Sequence, residues 1–146
     1  MLRPLVLADM GAAAQVHRLA FDRAMPWLVG LHTPDRDRWF YRERIFPICR
    51  VWGRFDGDEL SGIIAFRDGW IEQLYVRPGA QGRGIGSGLL DIAKGANERL
   101  ELWTFQRNAP ARRFYEARGF TLAEQTDGPR NEEKEPHARY VWTRGG

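Results

Sequence analysis

Gln81-Gly82-Arg83-Gly84-Ile85-Gly86-Ser87-Gly88 places four glycines at alternate positions. A strand-like run, Trp70-Ile71-Glu72-Gln73-Leu74-Tyr75-Val76, stands before it, and a helix-like run, Leu89-Leu90-Asp91-Ile92-Ala93-Lys94, stands after it. Glycines in a strand-to-helix turn let backbone approach a ligand closely, because no Cβ intervenes. The helix start leaves N–H groups unpaired and facing outward, which suits phosphate. Spacing then narrows the choice. No Gly, four residues, Gly-Lys-Ser/Thr string occurs, so this is not a P-loop. The spacing G-x-G-x-G-x-G also misses the dinucleotide fingerprint G-x-G-x-x-G. A turn that binds nothing is the competing reading, and it leaves the entropic cost of four glycines at a helix start without a compensating use.

Gln81, Gly84 and Gly86 fit the pattern Gln/Arg-x-x-Gly-x-Gly/Ala, and Val76-Arg77-Pro78 forms a hydrophobic-x-Pro strand exit. Downstream, Asn108-Ala109-Pro110-Ala111-Arg112-Arg113-Phe114-Tyr115-Glu116-Ala117-Arg118-Gly119-Phe120 carries an Asn, small residues, Phe-Tyr-Glu and then Gly-Phe. In both segments the chain resembles the GNAT superfamily of acyl-CoA-dependent N-acetyltransferases. The resemblance implies an α/β (α+β) fold: a mixed, mostly antiparallel sheet of about seven strands flanked by about four helices. It covers nearly the whole chain, residues 1–146, read as a single N-acetyltransferase domain.

The element pattern agrees with that order, β-α-α-β-β-β-α-β-α-β-β. Leu2 to Ala8 reads as a strand. Asp9 is placed to cap a helix over Met10 to Met25. Pro26 to His32 breaks it, and Thr33-Pro34 restarts one by N-cap and first-turn proline. Asp56-Gly57 and Asp68-Gly69 mark tight turns joining Arg50 to Phe55, Leu60 to Arg67, and Trp70 to Val76. A helix over Gly86 to Glu98 leads to a strand over Leu100 to Phe105, parallel to the strand before the loop because a helix crosses between them. Ala109 to Arg118 reads as a helix, Phe120 to Glu124 and Ala138 to Thr143 as strands, and Gln125 to Pro136 as a loop.

Composition limits the function classes. The chain has 146 residues, 43% hydrophobic, with net charge +3. Positive charge is spread out except at Arg107, Arg112, Arg113 and Arg118, read as a solvated helix face that attracts an anionic cofactor. No basic stripe of a nucleic-acid binder is seen, so no nucleic-acid partner is expected. Cys49 is the only cysteine, which rules out an internal disulfide. His17, His32 and His137 lack metal-ligand spacing, so no metal is expected. No signal peptide or membrane span is read, so no membrane partner and a cytoplasmic location are expected.

Acetyl transfer to an amine needs a base, oxyanion donors, a proton for the leaving thiolate, and two substrates held together. The resemblance implies acetyl-CoA as co-substrate and assigns Glu72, in the strand before the loop, as the base. Its alternatives are an ion pair with a nearby arginine or a charge anchor for a cationic substrate. Tyr115 matches the position whose phenol serves the CoA sulfur, the alternative being a core tyrosine. The resemblance further implies that the strand before the loop carries a bulge and splays from the next, with an oxyanion-donating N–H near Leu74 or Tyr75 and the exposed backbone of Leu74, Tyr75 and Val76 pairing with the pantetheine arm. It places the pyrophosphate on the N–H groups of Gly82, Arg83, Gly84, Ile85 and Gly86, beside Gln81 and Ser87. Asn108 would hold pantetheine and Phe114 would pack on it. Trp27, His32, Thr33, Trp103 and Phe105 are candidates for the acceptor pocket, with His32 read as a helix cap or a second base. His17 is read on a helix surface, and Glu132, Glu133 and Glu135 as a solvated loop. The acceptor is read as a small-molecule amine; a protein or peptide amine, or a CoA sensor without turnover, are the alternatives. Direct transfer follows from Cys49 lying outside both motifs. Homodimers are common in the family that the chain resembles.

Overall fold

The computed structural model describes residues 1–128, 131 and 133–145. In chain order the strands are β1 (Leu2–Pro4), β2 (Arg50–Asp56), β3 (Glu59–Arg67), β4 (Trp70–Val76), β5 (Arg99–Phe105), β6 (Thr121–Thr126) and β7 (His137–Thr143). The helices are α1 (Met10–Ala24), α2 (Pro34–Phe40), α3 (Ile85–Gly95) and α4 (Ala109–Glu116). One seven-stranded sheet has the order β1-β2-β3-β4-β5-β7-β6. All neighbours are antiparallel except β4 and β5. Among the described residues no helix is long and apolar enough to cross a membrane.

The sheet is covered on both faces. Along β3, Ile64 and Phe66 join a core with Leu89, Leu90 and Ala93 of α3 and Tyr115 of α4. Their neighbours Ile63 and Ala65 join a second core with Met10, Ala13, Ala14 and Val16 of α1. The period-two alternation of a strand puts these sets on opposite faces. A strand buried on both faces reads as a continuous apolar run, as Ile63-Ile64-Ala65-Phe66 does.

Local chemistry sets the element ends. The Thr33 hydroxyl accepts from Arg36 N at 3.1 Å and caps α2. After Phe40 the helix widens: Phe46 N donates to Tyr41 O at 2.9 Å, a five-residue π turn over Tyr41–Ile45. Asp9 does not cap α1. Its carboxylate instead accepts from Val6 N at 2.9 Å and pairs with Arg3 at 3.0 Å, so β1 ends at Pro4 and a tight turn follows.

Two irregularities shape the centre. Ala65 pairs with Gln73 while Phe66 pairs with Ile71, so Glu72 is an extra residue in β4. Such a bulge bends the strand and re-aims side chains. Beyond it, β4 and β5 are in register only at Trp70 and Glu101. The two strands then diverge, and the β5 side of Leu74, Tyr75 and Val76 has no ladder partner.

Candidate active site

The fork between β4 and β5 opens into a cleft of about 350 Å³ on the α3–α4 side. Leu74, Tyr75, Val76, Gln81, Gly82, Gly84, Gly86, Ser87, Asn108, Phe114 and Tyr115 all border it. Sequence separates these residues by up to a quarter of the chain; the β4–loop–α3 crossover and the start of α4 bring them together. Gly82 and Gly84 have φ of +79° and +78°, which L side chains rarely adopt. A Cβ at Gly86 would meet the Phe114 ring at 3.2 Å. The loop thus turns tightly into α3, whose first N–H groups have no intrahelical acceptor. No side-chain cap takes their place, since the N-cap is Gly84. Arg118 lies 3.9 Å over the Phe114 ring and donates to Ser87 Oγ at 3.4 Å, adding positive charge at the loop.

Two of the loop's side chains lie elsewhere. Ile85 is buried in the core, and Arg83 pairs with Asp56 at 3.3 Å, so only their backbones can serve a ligand at the loop. Asn108 Oδ1 accepts from Ala111 N at 3.3 Å and caps α4; its side chain still borders the cleft. The residues present therefore fit an anionic, chain-like ligand: open N–H groups at a helix start, an unpaired strand edge, and an aromatic flank.

A smaller cavity of about 110 Å³ continues from the cleft, bordered by Leu74, Tyr75, Asn108, Tyr115 and Glu72. It leads to a third space of about 440 Å³ between the sheet and the α1–α2 segment. Tyr75 borders all three. The bulge lets consecutive Glu72 and Gln73 both face this route, which a regular strand would forbid. Glu72 accepts from Arg67 Nε at 2.8 Å, so the ion-pair alternative is realised in the geometry. Tyr115 is buried, and burial pushes its phenol pKa up, with Tyr75 adding to the shift. Among the described residues no hydrogen bond engages the Tyr115 or Tyr75 hydroxyl, and both face the route.

Of the acceptor candidates, His32, Trp103 and Phe105 border this third space. His32 Nε2 lies 3.7 Å from Glu133, and Thr33, not His32, caps the helix. Thr33 is exposed and spent on that cap. Trp27 lies outside the cavity: its indole donates to Glu135 at 3.1 Å beneath the Arg107 guanidinium. Glu135 is buried, and its bond from Arg107 holds its carboxyl below the usual range. Glu133 and Glu135 therefore do not form a solvated loop; Pro129 and Glu132 lie outside the described residues. The arginine cluster is a solvated face only in part: Arg107 and Arg113 are exposed, whereas Arg112 bonds Tyr140 and Arg118 bonds Ser87 of the glycine loop.

Sequence reading missed His17. It faces inward: Nδ1 shares a 2.7 Å hydrogen bond with the Tyr41 hydroxyl, and its ring lies 4.3 Å from that of Tyr75. Burial, aided by nearby Arg18, holds its pKa down at about 3, so the imidazole is neutral. A usable signal existed, because Met10, Ala13, Ala14, His17, Ala20, Phe21 and Ala24 form one helical stripe. Trp39, Phe40 and Arg44 also line the acceptor space and were not foreseen.

A glycine loop between a bulged, splayed strand and a helix, with a buried phenol across the fork, defines the class of acyl-CoA N-acyltransferase folds. The profile of the acetyltransferase (GNAT) family matches residues 15–120, and the chain belongs to that family. It is 31% identical over 84 residues to the peptidyl-lysine N-acetyltransferase YiaC of Escherichia coli; the match covers 57% of this chain and 58% of YiaC. Apo YjaB from Escherichia coli superposes with a TM-score of 0.82 at 17% identity, covering 97% and 96% of the two chains. The PaiA N-acetyltransferase of Thermoplasma acidophilum, solved with coenzyme A, has a TM-score of 0.73 at 19% identity, with 98% of each chain covered. YncA of Salmonella typhimurium, solved with acetyl-CoA, has 0.71 at 18% identity, covering 98% and 92%. The expected fold and family are thus met.

Proposed function

We propose that this protein acetylates a primary amine of a small molecule, with acetyl-CoA as donor, by direct transfer in a ternary complex. The observation that carries the reading is the continuous route from the glycine-loop cleft to the acceptor space, with Tyr75 at every junction. Backbone N–H groups of Gly82 to Gly86, with the Ser87 hydroxyl, would hold the pyrophosphate. Leu74 to Val76 would add the pantetheine arm as a strand-like partner. Asn108 and Phe114 flank it.

Acetyl-CoA, when bound, supplies a carbonyl activated by its thioester. The Glu72 carboxylate takes a proton from the acceptor ammonium, directly or through water, and leaves a neutral amine. The Arg67 guanidinium fixes the carboxylate's direction. A backbone N–H at Leu74 or Tyr75 donates to the carbonyl oxygen as it gains negative charge. The Tyr115 hydroxyl gives its proton to the departing sulfur. Burial keeps that phenol protonated over the working range. Cys49 borders none of these spaces, and burial lifts its thiol to about 11, which favours direct transfer over an acyl-cysteine route.

The likeness to YiaC favours a second reading, acetylation of peptidyl-lysine. Thiol release from acetyl-CoA, with mass analysis of the product, separates the readings. Higher kcat/KM for small amines than for lysyl peptides supports the first. The reverse order supports the second. Coenzyme A binding without thiol release for any amine overturns both and leaves a sensor.

A further inference from the structure

We propose that the acceptor carries an anionic group besides its amine, and that Arg44 binds it. This rests on the acetyl-transfer reading and names its substrate class. The charge balance of the acceptor space points to this. Arg18 on its wall is paired with Asp37 through bonds of 2.8 and 2.9 Å, and with Asp22 at 3.2 Å. Glu72 is taken by Arg67, and Glu133 faces His32. Arg36 has interactions of its own. Among the described residues, neither a carboxylate nor another acceptor meets the Arg44 guanidinium. It instead lies 5.0 Å over the Trp39 ring, which borders the same space.

A cation over an indole face keeps its N–H groups available, and a guanidinium can receive a carboxylate or phosphate in two parallel bonds. A cation that no described carboxylate pairs with also concentrates anions in a part-enclosed space. The π turn over Tyr41–Ile45 carries Arg44, while the β4 bulge carries Glu72, and both border the space, which thus holds the proposed base as well as a cation. An amine whose own skeleton ends in an anion satisfies both. A lysine side chain brings no such anion.

The test compares an alkylamine, the ω-amino carboxylate and the ω-amino phosphonate of matched length, and a lysyl peptide with neutral flanks. Thiol release gives kcat/KM, and equilibrium dialysis against the protein loaded with coenzyme A gives binding. The anionic amines should exceed the alkylamine by about tenfold, through KM, as one exposed charge-assisted pair allows. Arg44→Met should bring that ratio near one, and Arg44→Glu should reverse it. Arg44 is exposed, so both variants leave the core intact. A ratio near one in the unmodified protein, a ratio untouched by Arg44→Met, or a lysyl peptide preferred over every small amine overturns the proposal. Anion-selective binding without thiol release supports the anion site while overturning acetyl transfer.

Discussion

Replacing His17 by glutamine should flatten the acid limb of the stability curve. The imidazole is buried between Tyr41 and Tyr75, and its folded pKa is about 3. In the unfolded chain it returns to ~6.5. A depressed folded pKa gives stability that is present above ~6.5 and is lost as pH falls toward the folded value, because the unfolded state binds the extra proton. The slope approaches ~1.4 kcal/mol per pH unit, so the loss between pH ~7 and ~5 is about 2 kcal/mol. That figure barely depends on the folded value as long as it stays below ~4. The carboxyls of Asp9 and Glu135, held low by their arginine partners, begin to act only near pH ~4.5 and below, outside this window. His137, which burial also lowers, acts in the same sense in both proteins and cancels. Urea unfolding followed by tryptophan fluorescence, at pH ~7, ~6 and ~5, measures the difference. Glutamine can keep a bond to Tyr41, and any constant offset from lost ring contact does not alter the slope. Equal pH slopes for the two proteins refute the buried neutral histidine.

Three further outcomes are expected. Gly84→Glu should lower coenzyme A affinity by more than ~tenfold in calorimetric titration, since charge at a helix start opposes phosphate. A Cβ there meets nothing within 4 Å, so the cost to folding is only the ~1–2 kcal/mol of the left-handed φ, which Gly84→Ala measures alone. Unchanged affinity in the glutamate variant would sink the loop assignment. Tyr115→Phe should reduce kcat by roughly a hundredfold with little change in KM or melting temperature, because among the described residues no hydrogen bond engages the hydroxyl. Unaltered kcat makes Tyr115 structural. Asp37→Asn should remove about 2–3 kcal/mol, or roughly 5–10 °C of melting temperature, by breaking a largely buried pair with Arg18. An unchanged melting temperature means that desolvation cancels the pair.

Much of this fold could be read along the chain because its signals are local. Asp56-Gly57, Thr33-Pro34 and the glycine loop each fix backbone direction within a few residues, and the strands and helices start within a few positions of expectation. The residues proposed for the cofactor side could be grouped for the same reason, since they cluster in two motifs, and they border one cleft. The acceptor side was not. Trp27 and Thr33 lie in the anticipated helix break, yet distant Glu135 draws one away and a cap claims the other. Trp39 and Phe40 reach the cavity from the end of α2, and Arg44 from the π turn that follows, which no local residue announces. The bulge at Glu72 likewise depends on its register with β3.

The single pairing of Trp70 with Glu101 makes one place serve two ends. Past that point the sheet is a seam left unsewn, with backbone groups of Leu74 to Val76 turned toward a guest. A bound donor would stitch the seam, so donor affinity adds directly to resistance against unfolding. Evolution cannot then tighten the scaffold here without competing with the substrate for the same amides. On the proposed reading, the sheet's weakest joint is also where its chemistry is done.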